Sequence, residues 1–198
     1  MVPKIAFPDT HALIQELSRR LCNTPTATAT LFAWCEEHRL SSGPVTVICR
    51  CRCQAPAVAR DVLTELKPLP REPVAYRSVQ LVRGGLPLVD AENWFIPHRL
   101  SPDMRDALEA TDIPFGDLIA PLSPMRRTLS VRAREFPVEI PVSHLLETQR
   151  VEQQHPEAIL RIDAVVISGS GLPLAYVREN FRPELIGNVS SSCADQTR

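Results

Sequence analysis

Apolar and polar residues alternate along IDAVVISGSGLPLAYVRENF (162–181) with the two-residue period of β-strands on either side of a GSG turn. In the second arm Ala175, Val177, Glu179 and Phe181 share one face, and Leu174, Tyr176, Arg178 and Asn180 share the other. Glu179 therefore sits among apolar neighbours. The stretch YRSVQLVR (76–83) repeats the oddity with the opposite sign, because Arg77 shares its face with Ala75, Val79 and Leu81. Burying a charge without a partner is costly, so a carboxylate and a guanidinium on apolar faces suggest a polar pocket inside a greasy sheet. A structural ion pair, or a register slip that returns both side chains to solvent, accounts for the same pattern.

The same periodicities order the rest of the chain. Leu13, Ile14, Leu17 and Leu21 recur at helical spacing behind an N-cap at Asp9 or Thr10 and predict a helix over 9–20. A second helix is expected over 29–38, with Leu31, Phe32, Trp34 and Cys35 as its apolar stripe. Residues 45–53 alternate Val45, Val47, Cys49, Cys51 and Cys53 against Thr46, Ile48, Arg50 and Arg52, which reads as a half-exposed first strand. The proline-rich stretch 54–73 predicts a short helix at 57–67 and a linker running over the surface. Residues 74–83 and 88–97 then form a hairpin around Gly84-Gly85.

Ser101, Pro102 and Asp103 agree on a helix start, giving a helix over 101–110. Asp112 is expected to support the next turn through its side-chain oxygen. Phe115-Gly116 opens a second helical turn whose first N–H groups are available to an anion such as a carboxylate. A strand over 125–136 puts Arg127, Leu129, Val131 and Ala133 on one face. A helix over 142–154 is expected to cover one end of the pocket. Strands at 158–168 and 172–183 make the final hairpin, and residues 184–198 read as a flexible tail. The rhythm is not βαβ, and no repeat occurs. Fold class is therefore α+β: one domain spanning 1–198, with an antiparallel sheet of about six strands joined by hairpins and local helices.

Composition narrows the function only by exclusion. With 44% apolar and 23% charged residues and a formal net charge of −1, the chain has no electrostatic footprint for nucleic acid or an anionic membrane. The first residues lack the apolar core of a signal peptide, and no run approaches the roughly 18 apolar residues of a membrane span, so a cytoplasmic location is expected. The six cysteines are expected as reduced thiols. A metal site on Cys49, Cys51 and Cys53 would lack a second ligand cluster. His11, His38, His98, His144 and His155 are scattered, and the glycine-rich phosphate loops and the GxSxG elbow are absent. Asp90 and Glu92 share a strand face with Trp94, which fits a solvated edge as well as acid–base work.

Three stretches, YRSVQLVRGGLPLVDAENWFIPHRL, TDIPFGDLI and VVISGSGLPLAYVRENFRP, resemble the chorismate lyase family, the chorismate–pyruvate lyases that make 4-hydroxybenzoate. The likeness covers roughly 74–183 and rests on four pieces in order: an arginine strand, a strand ending in Pro followed by R-L-S, a P-[LF]-G turn, and an S-G…P-L…E…P hairpin. No single piece is diagnostic. The resemblance implies a single domain, an antiparallel sheet with helices packed around an internal ligand cavity. It also matches the family's carboxylate-binding arginine to Arg77 and its essential glutamate to Glu179. The main chain of the family's P-L-G turn maps to the Phe115 N–H, with Gly116 allowing close approach. A further ligand contact somewhere in 26–31 cannot be placed on one residue.

The expected activity is therefore cofactor-independent elimination of pyruvate from chorismate. Arg77 would grip a carboxylate, and Glu179 would take the ring proton or hydrogen-bond the departing oxygen. The expected partner is an aromatic or pre-aromatic carboxylic acid, without metal or organic cofactor, in a monomer or weak dimer. Two rivals stand beside it. One is a small-molecule-binding regulatory module, although no basic DNA-binding segment is evident in the first 70 residues. The other is the same fold repurposed as a natural-product tailoring enzyme acting on another small acid. Phe115 in place of the usual leucine, Arg178 directly before the glutamate and a divergent N-terminal third keep that one open.

Overall fold

The computed structural model describes residues 10–24, 26–55, 57–134 and 158–187. Two three-stranded meanders build its sheet. The first comprises β1 (Val45–Gln54), β2 (Ala75–Arg83) and β3 (Leu86–Phe95). The second comprises β4 (Met125–Ala133), β5 (Leu160–Ile167) and β6 (Pro173–Phe181). They join edge to edge through β3 and β6 in the order β1-β2-β3-β6-β5-β4, with every neighbouring pair antiparallel. Gly84 and Gly85 both take positive φ, +53° and +84°, as a tight hairpin between β2 and β3 demands. The expected α+β class and six-stranded antiparallel sheet are both present.

One face of the sheet carries most of the core. Helices α1 (Thr10–Cys22) and α2 (Ala27–Glu37) lay Ile14, Leu17, Leu21, Leu31 and Trp34 on Val79, Leu81, Ala91, Ile162 and Phe181. Further along the same face, α4 (Pro102–Ala110) and α5 (Phe115–Leu118), with the turn after them, pack Leu108, Phe115 and Ile119 against Phe95, Val166, Ala175 and Val177. The expected cap of α4 is present, since Ser101 Oγ accepts from the Met104 N–H. Phe32, expected in the core stripe of α2, is 45% exposed and lies against the Arg83 guanidinium instead.

The opposite face is covered by α3 (Arg60–Leu66), whose buried Val62 and Leu66 meet Trp94, Ile96 and Tyr176. The short helix expected over 57–67 is thus present as α3, and its apolar side packs on the sheet. Arg99 fastens it. Its side chain, 4% exposed, donates to the carbonyls of Leu66 (2.9 Å), Lys67 (3.0 Å) and Pro173 (2.6 Å) and pairs with Glu72 at 2.6 Å. The R-L-S piece after β3 therefore clamps the C-terminus of α3 to the start of β6.

Two bulges overturn simple alternation. The register shifts between Cys49 and Cys51, so Cys49 opposes Val79 on the inner face, whereas Cys51 and Cys53 oppose Ser78 and Tyr76 on the outer one. Arg52 moves to the inner side, opposite Arg77. In β4 the shift between Thr128 and Ser130 puts Arg126 and Thr128 opposite Val166 and Ala164, on the inner face, and Ser130 opposite Asp163. The expected face of Arg127, Leu129, Val131 and Ala133 is thereby broken. At the C-terminus, residues expected to begin a flexible tail form a 3-10 turn (Pro183–Ile186). Leu185 is fully buried there, and its carbonyl accepts the Trp34 indole N–H at 2.8 Å. The helix expected over 142–154 and the tail from 188 onward lie outside the described residues. No helix among those residues is long and apolar enough to cross a membrane.

Candidate functional site

Between the two apolar clusters of the inner face lies a cavity. Its floor is the sheet, with Arg77 and Val79 from β2, Ala91 and Asn93 from β3, and Val177 and Glu179 from β6. Its roof is the start of α2 (Thr26, Ala27, Thr28) and the Pro114-Phe115-Gly116 turn. Gly116 lets the two parts of the roof meet, since a Cβ there would stand 3.0 Å from Thr26 Cγ2. The Thr26 side chain makes no capping bond to the first N–H groups of α2. Phe115 is buried and tilts against the Phe95 ring at 5.7 Å between centroids.

Arg77, 2% exposed, donates from Nη1 to the Ile113 carbonyl at 3.0 Å. Its Nε and Nη2 are buried and have no partner among the described residues. A guanidinium has five N–H donors, and those on Nε and Nη2 find no acceptor in the described protein. The Ile113 segment is pinned from outside as well. Arg52 donates to the Thr111 carbonyl at 2.6 Å and to Asp112 Oδ1 at 2.7 Å. Asp112 therefore serves Arg52 rather than supporting the turn after it.

Glu179 does not face apolar side chains alone. Arg126 reaches its carboxylate from β4, and the two form an ion pair with side-chain exposures of 4% (Arg126) and 11% (Glu179). The Arg126 Nε is buried with no partner. Among the described residues, the ionisable ones lining the cavity are thus Arg77, Arg126 and Glu179, a formal charge of +1. All four residues expected at the site, Arg77, Phe115, Gly116 and Glu179, line this cavity. Arg77 and Glu179 do not pair with each other. They sit on strands separated by β3, about 10 Å apart across the sheet. Arg126 escaped the sequence reading because its strand looked polar on both sides, and only the bulge shows which side is inner.

The charges on the outer face form a separate network. Arg178 lies over the Trp94 ring at 5.2 Å and bonds Asp163 at 2.8 Å, with Asp61 and Glu92 at 3.6 and 3.8 Å. Burial pushes the Asp163 carboxyl up, but Arg178 and Ser130 outweigh it and hold the group below its ordinary 3.8. Tyr76 is pushed up to about 12 by burial and by its bond to Glu92. Tyr176 reaches about 12 through burial and the charges of Asp163 and Asp61. Asp90 accepts from Gln80 and pairs with Arg182 on this face, so neither it nor Glu92 faces the cavity. Among the described residues, no group of three or more His, Cys, Asp or Glu is placed to hold a metal.

No family model matches the chain. A relative from Sinorhizobium fredii (strain NBRC 101917 / NGR234), uncharacterized protein y4mC, is 31% identical over 179 residues, covering 86% of this chain and 73% of that protein. Among solved structures, the effector domain of PhnF from Mycobacterium smegmatis matches with a TM-score of 0.51 at 11% identity, over 81% of this chain and 90% of that one. The structure of PhnF itself gives 0.52 at 9% identity, over 82% and 65%. At such identities the likeness is one of fold. It is an α+β fold related to that of chorismate lyase, which agrees with the expected architecture.

Proposed function

We propose that this chain, which belongs to the family of the Sinorhizobium fredii protein y4mC, is a binding module for a small aromatic monocarboxylate held in the cavity by Arg77. The observation that carries this reading is the pair of idle, buried nitrogens on Arg77. Without an anion they keep the full desolvation cost of a charged donor, and a bidentate carboxylate removes it. The net charge of +1 in the lining suits a monoanion. The apolar walls from Val79, Ala91, Phe115 and Val177 suit a ring. The fold likeness to a domain described as an effector domain supports binding as the role.

The test is calorimetry with benzoate and 4-hydroxybenzoate against benzyl alcohol, which has the ring but no charge. Both acids should bind and the alcohol should not. Equal binding of all three would sink the reading.

The second reading, a chorismate–pyruvate lyase, draws its support from Glu179 and Arg77 sharing one cavity. Chorismate carries two carboxylates, so this reading needs a second cation. Arg126 would supply it by leaving Glu179 for the substrate, which frees the glutamate to take the ring proton. A cofactor-free incubation with chorismate, followed for pyruvate and 4-hydroxybenzoate with Glu179→Gln alongside, decides between the two readings. Both products from the unaltered protein and neither from folded Glu179→Gln would establish the lyase, and their absence from the folded unaltered protein would leave binding as the role.

A further inference from the structure

On the outer face of β1, Cys51 and Cys53 stand with their sulfurs 3.5 Å apart, and both residues are exposed. The bulge after Cys49 creates this arrangement by carrying the two thiols away from the core while Cys49 stays on the inner side. We propose that Cys51 and Cys53 are a reversible thiol–disulfide exchange site that controls how firmly Arg52 holds the segment beside the cavity.

Three features carry the inference. First, a disulfide needs its sulfurs at about 2.05 Å, so each must move less than an ångström from where it stands. Second, two residues of strand span about 6.4–6.8 Å, at the upper end of the Cα separation a disulfide tolerates, so the bond forms under strain and is easily reduced. Third, among the described residues β1 is an edge strand bonded only to β2, so it can pucker at Arg52 without breaking a second ladder. No third Cys, His, Asp or Glu among the described residues completes a metal site there.

The step is an exchange with a low-molecular-weight disulfide such as oxidised glutathione. The Cys51 thiolate attacks one sulfur of it and expels a thiolate, giving a mixed disulfide. Cys53 then attacks Cys51 Sγ, expels the second thiolate and closes the ring. The protein loses two electrons and two protons, and the oxidant leaves as two thiols. The hydrogen bond shared with Cys51 holds the Cys53 thiol above its ordinary value.

Arg52 lies between the two cysteines. Its guanidinium bonds the Thr111 carbonyl and Asp112, next to the Ile113 carbonyl that holds Arg77. Closing the ring draws the chain in at Arg52 and loosens that grip. This second link rests on the cavity binding a carboxylate.

The experiment equilibrates the full chain with mixtures of reduced and oxidised glutathione, traps free thiols by alkylation and locates the modified cysteines by chymotryptic peptide mapping. The expected result is a disulfide within one peptide joining Cys51 and Cys53, with Cys51→Ser leaving Cys53 as a glutathione mixed disulfide. Alkylation of both cysteines at the most oxidising ratio, or two separate mixed disulfides in the unaltered chain, would overturn the site. Benzoate affinity is then compared between the two forms, and the oxidised form should bind about fivefold or more weakly. Unaltered affinity on oxidation would refute the link through Arg52. A reduced protein that fails to bind benzoate refutes the proposed function alone and leaves the disulfide result standing.

Discussion

Arg126 reaches Glu179 across the whole width of β5, so the carboxylate in the cavity is already neutralised before any ligand enters. Removing either partner strands a buried charge, a loss of about 3–5 kcal/mol, whereas removing both is far milder. Glu179→Gln and Arg126→Gln should each lower the denaturant midpoint strongly, and the double variant should recover most of it. Additive losses in that double-mutant cycle would mean that the two side chains are not coupled. Glu179→Gln also raises the formal charge of the lining to +2, so a dicarboxylate such as phthalate should gain on benzoate in that variant.

Arg77 should behave in the opposite way. Its two idle nitrogens leave an uncompensated desolvation cost in the unliganded fold, while each charge-assisted bond to a bound carboxylate contributes about 1.5–3 kcal/mol. Arg77→Met should therefore keep a melting temperature close to that of the unaltered protein and weaken benzoate binding by about 100-fold or more. A large drop in melting temperature with little change in affinity would make Arg77 structural.

Arg99 is the residue on which stability should depend most visibly. It satisfies three main-chain carbonyls and Glu72 from a nearly buried position. Loss of about 3–5 kcal/mol on Arg99→Ala corresponds to about 6–20 °C in a chain of this length. Arg99→Lys should fare little better, because an ammonium cannot span the same set of acceptors. Calorimetric melting of both variants checks this, and full recovery by lysine would refute the clamp.

The two tyrosines of the chain, Tyr76 and Tyr176, are both raised to about 12. A folded-state pKa above the ordinary 10 means the neutral phenol is favoured by the fold. The stability this contributes is intact below pH 10 and is lost as pH rises from 10 through 12. Phenolate absorbance should therefore stay flat through pH 10 in the native protein and rise only near 12 or on alkaline unfolding. Denatured protein should titrate near 10. A native titration centred at 10 would place both rings in solvent.

Much of this is legible in the sequence, and most of the failures share a cause. Strict alternation located Arg77 and Glu179 on inner faces because β2 and β6 run without a bulge through those positions. It failed on β1 and β4, where one inserted residue in each reverses the sides of everything after it. Arg126, Arg52 and the Cys51–Cys53 pair were hidden by those two bulges. Phe32 was misplaced for a different reason: the stripe of α2 is wider in sequence than the surface it covers, and a neighbouring guanidinium accepts the ring outside. The Ser101 cap and the Gly84-Gly85 turn were readable because local chemistry alone decides them.

The seam between β3 and β6 gives the chain a particular order of assembly. Each meander is contiguous and local, and each can in principle form on its own. The seam, however, joins residues 89–95 to 175–181, so it closes only when the final strand arrives. Arg77 belongs to the first meander, and Glu179 and Arg126 to the second. A chain caught part-way through synthesis would have half a receptor and two unpaired strand edges. The cavity comes into being with the last docking event, and a ligand bound there would act as a rivet across the seam, slowing its reopening more than that of either half.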